Sequence, residues 1–312
     1  MAILLLVLAV GGFFWLIQPV DKTQITTTDF TVNSGEGARA VAQNLQTAGL
    51  IKNALAWRVW AKWAGETGLQ AGVFSLSPAM SGEQILQQLK TQPKEITITI
   101  LPGWRREEIA EYLDGLNLIN FTATEFLQLT TGMEGELMAE TYRIFPTATA
   151  EEIVDLLNQQ FLRDLAENEE IQAAVAKSGR SWVEILTVAS LLQREARDYE
   201  QMRNIATIIY RRLEDNYPLQ LCATAQYAVG KKATGGWWEP PTIEDTEFDS
   251  VYNTYAYKGL PPTPIAAVSV AAVEAALDPA ENDYYFYLHD NDGKIHYAET
   301  LEEHTANKER YL

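Results

Sequence analysis

Apolar positions along this chain switch between the two-residue period of strands and the three-to-four-residue period of helices, which predicts a mixed α+β fold. Over residues 25–92 the pattern describes a small α/β module. Thr26 to Val32 alternates as a strand, rich in β-branched residues. Ala38, Val41, Ala42 and Leu45 then mark an amphipathic helix, which Gly49 is placed to close at the C′ position. A second helix carries Trp57, Val59, Trp60 and Trp63, a stripe expected to be core although tryptophans can also stack on sugar rings. Ala71 to Leu76 returns as a short strand. Ser81 and Gln84 form a capping box that leads into Ile85, Leu86 and Leu89. A proline-containing link between Gln92 and Glu95 marks a boundary, and a larger domain runs over 96–312. It opens with the strand pattern Ile96 to Ile100. Helical patterns follow from Glu107, over 121–129 and over 150–165, with an irregular segment at 134–142.

The strongest helical signal begins at Ser181, which forms an S-x-x-E box with Glu184 and precedes Trp182 to Arg197, free of Gly and Pro. Val188, Leu191, Leu192, Glu195, Tyr199 and Met202 recur at steps that share one face, apolar except at Glu195. A carboxyl on such a face is either paired, with Arg194, Arg197, Arg211 or Arg212 as candidates, or held partly neutral by its surroundings. A partly neutral Glu is what a general acid requires. Downstream come a second helix over 205–213, a turn at Asn216-Tyr217-Pro218 and a loop-to-helix stretch at 219–227. Trp237 and Trp238 lie in a Gly/Pro loop, suited equally to sugar stacking and to anchoring the loop. Gly259 to Ile265 forms a rigid, proline-rich turn.

Charge narrows the function classes. A net charge of −18 excludes a nucleic-acid binder, which needs a basic footprint, and opposes unaided adsorption to anionic lipid. Cys222 is the single cysteine, so no internal disulfide forms. His289, His296 and His304, spaced by 7 and 8, match no zinc motif, and neither metal nor cofactor is expected. Ala2 to Ile17 is an apolar run without charge, read as a single-pass anchor over 1–20 that places the remainder on the extracytoplasmic side. A cleaved signal peptide is the alternative, although no Ala-x-Ala site follows.

Several ordered motifs resemble the membrane-anchored endolytic murein transglycosylases of the MltG/YceG-like type. They are Ala189 to Ala196, Leu219-Gln220 with Thr224, Gln226 and Tyr227, Tyr252-Asn253-Thr254-Tyr255, and Gly259-Leu260-Pro261-Pro262. Ala71 to Phe74, Glu134-Gly135, Thr141-Tyr142, Leu277 to Ala280, Asp283 to Tyr287 and Glu303-His304 extend the resemblance over nearly the whole chain after the anchor. The resemblance implies a small LysM-like module at 25–92 and a catalytic transglycosylase domain at 96–312. It implies cleavage of the MurNAc-β-1,4-GlcNAc bond in peptidoglycan glycan strands, with 1,6-anhydroMurNAc ends and Glu195 as single general acid and base. Gln220, Thr224, Gln226, Tyr252, Asn253, Thr254 and Tyr255 are the implied sugar-binding residues. The implied setting is the periplasmic face of the cytoplasmic membrane, beside cell-wall synthases.

The chain departs from the family pattern at Gln193, where a Glu is usual, at Leu221-Cys222-Ala223-Thr224 in place of Ser-Asp-Pro-Thr, and at Leu101-Pro102-Gly103. Two other readings compete: a muramidase that cleaves the same bond with water, and a membrane-anchored glycan-binding scaffold without catalysis. A Ser or Cys hydrolase is weaker, since no Gly-x-Ser-x-Gly elbow occurs and Cys222 has no histidine near it in sequence.

Overall fold

A computed structural model describes residues 10–33, 35–65, 69–91 and 93–312. The chain divides into two compact units, the first built mainly from residues up to Ile98 with short returns at 117–121 and 142–149. In the first unit β1 (Thr28–Val32) is followed by α1 (Ala38–Thr47), α2 (Ala54–Trp63) and β2 (Gly72–Leu76). β2 pairs antiparallel with β1, Phe30 opposite Phe74. α3 (Gly82–Lys90) starts at the predicted box, where Ser81 and Gln84 cap each other reciprocally. Trp57 is fully buried and donates its indole N–H to the Gly82 carbonyl (2.9 Å). The tryptophan stripe of α2 is therefore core at Trp57 and Trp60 but not at Trp63, which is 82% exposed.

Residues 10–16 are helical, and Ile17 enters the core of this unit. Among the described residues no helix is long and apolar enough to cross a membrane. Residues 1–9 of the predicted anchor over 1–20 lie outside the described residues.

β3 (Ile96–Thr99) and β4 (Thr141–Ile144) also lie mainly in the first unit, and the second carries α4 (Arg106–Gly115), α5 (Ala123–Leu129), α6 (Ala150–Phe161) and α7 (Glu169–Ser178). β3 pairs with β4, a strand where the sequence pattern reads as irregular. α6 passes into a π-helical turn at Leu162–Ala166, and α7, capped by Asn168, is an element the sequence reading did not anticipate.

α8 (Trp182–Glu195) is the centre of this unit. Every residue from Ile185 to Leu192 is buried. A helix that is apolar nearly all round is buried, and this one packs against α9 (Tyr199–Glu214), α10 (Cys222–Val229) and α12 (Val270–Leu277). The single continuous face expected from Val188 to Met202 does not exist. Ala196 takes an extended conformation and ends α8, and Asp198 caps a new helix that holds Tyr199 and Met202. Glu195 is thus the last residue of α8. The C-terminal third adds α11 (Ile243–Thr246), the hairpin β5 (Phe286–His289) and β6 (Ile295–Ala298), and α13 (Leu301–Tyr311).

Gly135 adopts φ +85°, and a Cβ there would lie 2.6 Å from Cβ of Pro264, whereas Gly132, at φ +82°, faces open space. Gly132→Ala should cost about 1 kcal/mol, the conformational penalty alone. Gly135→Ala should cost about 1–3 kcal/mol more from overpacking, measured as separate urea midpoints. Equal losses in the two variants would dismiss the contact with Pro264.

Candidate active site

Glu195 leaves the end of α8 and enters a cavity of about 390 Å³. Its Oε2 accepts a hydrogen bond from the Tyr287 hydroxyl (2.9 Å), and its Oε1 accepts a long one from the Ala223 N–H (3.4 Å). Tyr287 stands on β5, in register with Tyr297 of β6. Ala223 lies in the first turn of α10. Burial raises the pKa of Glu195 above the ordinary carboxylate range. The two hydrogen bonds, Arg194 and Arg212 act against that shift. A helix C-terminus also disfavours an anion, in the same direction as burial.

Arg212 on α9 builds the cavity floor. Although buried, its guanidinium donates to the carbonyls of Tyr285 (3.0 Å) and Leu219 (2.6 Å), so one side chain ties the loop before α10 to the strand that carries Tyr287. His289, His304, Tyr217 and Lys308 complete the lining, and His304 stacks on Phe286 at 5.2 Å. Glu195 is the only carboxylate among the described residues that line it. A larger groove of about 700 Å³ lies over α7 and the end of α12, but it is an open trough without such a converging set of groups.

The residues proposed for sugar binding separate into two sets. Gln220, held at φ +49°, and Tyr255, whose hydroxyl lies 3.3 Å from Sγ of Cys222, both line the cavity with Glu195. The others turn inward. Thr224 and Thr254 are buried, share a hydroxyl contact of 2.8 Å and tie α10 to the 252–255 segment. Asn253 is buried and donates to the carbonyls of Thr246 and Phe248. Gln226 donates to the Trp238 and Glu239 carbonyls, and Tyr252 bonds to Thr263 (2.8 Å). These five shape the cleft rather than face it.

Gln193 accepts from the Ser269 hydroxyl and N–H, away from the cavity. Trp237 and Trp238 are covered by the guanidinium groups of Arg105 (4.6 Å) and Arg194 (3.9 Å), so each anchors its loop. Sequence reasoning passed over Tyr287 and His289 as site residues. Two aromatic-rich strand positions carry no local signal of what lies opposite them.

The chain matches the profile of the YceG-like family across residues 30–310. It belongs to the YceG-like family. This YceG-like chain is 30% identical to the endolytic murein transglycosylase of Bacillus subtilis (strain 168), an alignment covering 98% of this chain and 91% of that protein. It is 28% identical to the endolytic murein transglycosylase of Streptococcus pneumoniae R6 over 98% of its own length and 63% of the relative's. A crystal structure of a YceG-like protein from Listeria monocytogenes superposes with a TM-score of 0.57 at 26% identity, covering 90% of this chain and 98% of that one.

A second buried carboxyl, Glu134, sits apart from the cavity. It accepts from the Arg106 N–H (3.1 Å) and the Tyr227 hydroxyl (3.2 Å), while Arg105 stacks on the Tyr227 ring at 4.2 Å. Burial and the nearby Glu107 push it from 4.5 to about 8. A carboxyl raised in the folded state adds stability that is complete below its unfolded pKa and lost as pH rises through the folded one. The thermal midpoint of the parent should therefore fall between about pH 4.5 and pH 8 relative to that of Glu134→Gln. Parallel profiles would refute the shift. Tyr287→Phe removes a hydrogen bond that favours the Glu195 anion. It should move the Glu195 carboxyl titration, followed by carbon NMR, to higher pH. An unmoved titration would remove Tyr287 from control of that group.

Proposed function

We propose that this chain is an endolytic murein lytic transglycosylase, with Glu195 as its single acid and base. The observation that carries the reading is the lone, raised carboxyl of Glu195 within the cavity, in a chain whose curated relatives bear that activity in their names. Glycosidases that use water or a carboxylate nucleophile need two carboxyl groups flanking the bond, about 6.5–9.5 Å or 5–5.5 Å apart respectively. One carboxyl suffices when the substrate supplies its own nucleophile.

Protonated Glu195 donates to the glycosidic oxygen as the C1–O bond of MurNAc breaks. The C6 hydroxyl of the same sugar then bonds to C1, and its proton returns to the Glu195 carboxylate. No water is consumed and Glu195 ends as it began. Both protonation states must be reachable. Burial favours the acid, while the Tyr287 hydroxyl and the Arg212 charge steady the carboxylate. Gln220 and Tyr255 reach the sugar directly. Thr224, Gln226, Tyr252, Asn253 and Thr254 hold the walls that position it.

The β-α-α-β order of the first unit, with its strands antiparallel, supports the LysM-like reading of that module. The uncharged run Ala2 to Ile17 supports a single-pass anchor in the cytoplasmic membrane, with the catalytic domain on the periplasmic side near the synthases that make nascent strands.

The test is mass spectrometry of purified peptidoglycan digested by the detergent-solubilised full chain and by Glu195→Gln. Internal fragments with 1,6-anhydroMurNAc ends are expected from the parent, falling at least about 10³-fold in the variant. Reducing ends would identify a muramidase, and glycan retention without cleavage a binding scaffold. The raised Glu195 carboxyl loses its stabilising contribution as pH climbs from the unfolded pKa through the folded one. Glu195→Gln should therefore melt with the parent at pH 4 and above it at pH 8. A variant that melts lower throughout would mean that the lost activity reflects folding.

A further inference from the structure

We propose that the outward face of α2 and the helical residues 10–16 form one surface that docks the first unit onto an anionic phospholipid bilayer. The inference rests on the anchor reading given above and extends it from the apolar run to the folded module.

Three observations converge. Leu55, Val59 and Trp63 recur every fourth residue along α2 and form an exposed stripe. Val10, Phe14 and Trp15 are exposed beside them, and a cavity of about 420 Å³ between the two segments is walled by Val10, Phe13, Phe14, Val59, Trp60 and Trp63. Such a contiguous apolar surface marks an interaction site.

The two segments are also fastened together. Ile17 lies in the core, its carbonyl accepts from the Gly82 N–H (2.8 Å), and Lys52 both bonds the Trp15 carbonyl (3.3 Å) and lies 4.1 Å over the Trp15 ring. The apolar run therefore enters the module as part of it, not through a free linker.

Charge identifies the occupant. From Gly37 to Gly65 the sequence holds Arg39, Lys52, Arg58 and Lys62 and no acidic residue, within a chain of net charge −18. Cations beside a stripe of Trp, Leu and Val are the composition of a helix lying in a lipid interface. Tryptophans at both edges suit the headgroup level. At 1.5 Å per residue, Val10 lies roughly 7 Å along the axis from Trp15. With Trp15 among the headgroups, Val59 and Trp63 fall near the acyl boundary, about 5–10 Å deep for an interfacial helix. The overall acidity that opposes lipid adsorption of the whole chain is thus reversed at this one face.

The full chain, in a Cys222→Ser background, is reconstituted in nanodiscs of phosphatidylethanolamine and phosphatidylglycerol. Single nitroxide labels are placed at Val59, Trp63, Gln87 and Leu6, and their access to oxygen and to a water-soluble nickel chelate is measured. The proposal expects labels at 59 and 63 at the headgroup–acyl boundary, 87 in water and 6 deep in the bilayer. It also expects 59 and 63 to shift toward water when Arg58→Glu and Lys62→Glu are combined. Labels at 59 and 63 as wet as 87, with 6 in the bilayer, would overturn the docking face and leave the anchor standing. Labels at 59 and 63 shielded from both reagents would mean that protein, such as a second copy, covers the face, and would overturn it equally. A label at 6 in water would overturn the anchor and the docking together.

Discussion

Burying the Arg212 guanidinium carries a large desolvation cost, and among the described residues no carboxylate pairs with it directly. Backbone carbonyls of Tyr285 and Leu219 accept its hydrogen bonds, and the rings of Tyr217 and Phe286 lie 5.5 Å and 5.2 Å from it. These contacts fix the two segments that flank Glu195, the loop that starts α10 and the strand β5. The charge of Arg212 favours the carboxylate form of Glu195.

Glu195 is therefore held between opposing influences. Desolvation and the C-terminal end of α8 oppose its charge, while Tyr287, Ala223 and Arg212 support it. Burial favours the acid that gives the proton, and the hydrogen bonds and Arg212 favour the carboxylate that recovers it. Cys222 and Ala223 stand where the resemblance expects Asp and Pro, and because Pro has no N–H, Ala223 offers the carboxyl a donor that Pro could not.

Aromatic residues show how the same chemistry is put to different uses. Trp57 fills a core, Trp237 and Trp238 are pinned by arginines, and Trp63 stands in the open. A tryptophan offers a large apolar face and one N–H donor. Which of these is used depends on what the fold brings alongside.

The sequence by itself determined the α+β class, the helix starts at Ser81 and Ser181, and the position of Glu195, because caps and periodicity act within a few residues. It also carried the family, through motifs spread in order along the chain. It did not determine that α8 stops at Glu195 or that its next residues open another helix, since good helix formers run on without a break. Nor did it reveal that Thr224, Asn253 and Thr254 spend their polar groups internally, or that Tyr287, 92 residues from Glu195, donates to its carboxyl. Those facts belong to the tertiary structure, because a hydroxyl has the same composition whether it meets a sugar or a backbone carbonyl. Only the packing of distant segments around Arg212 decides which it meets.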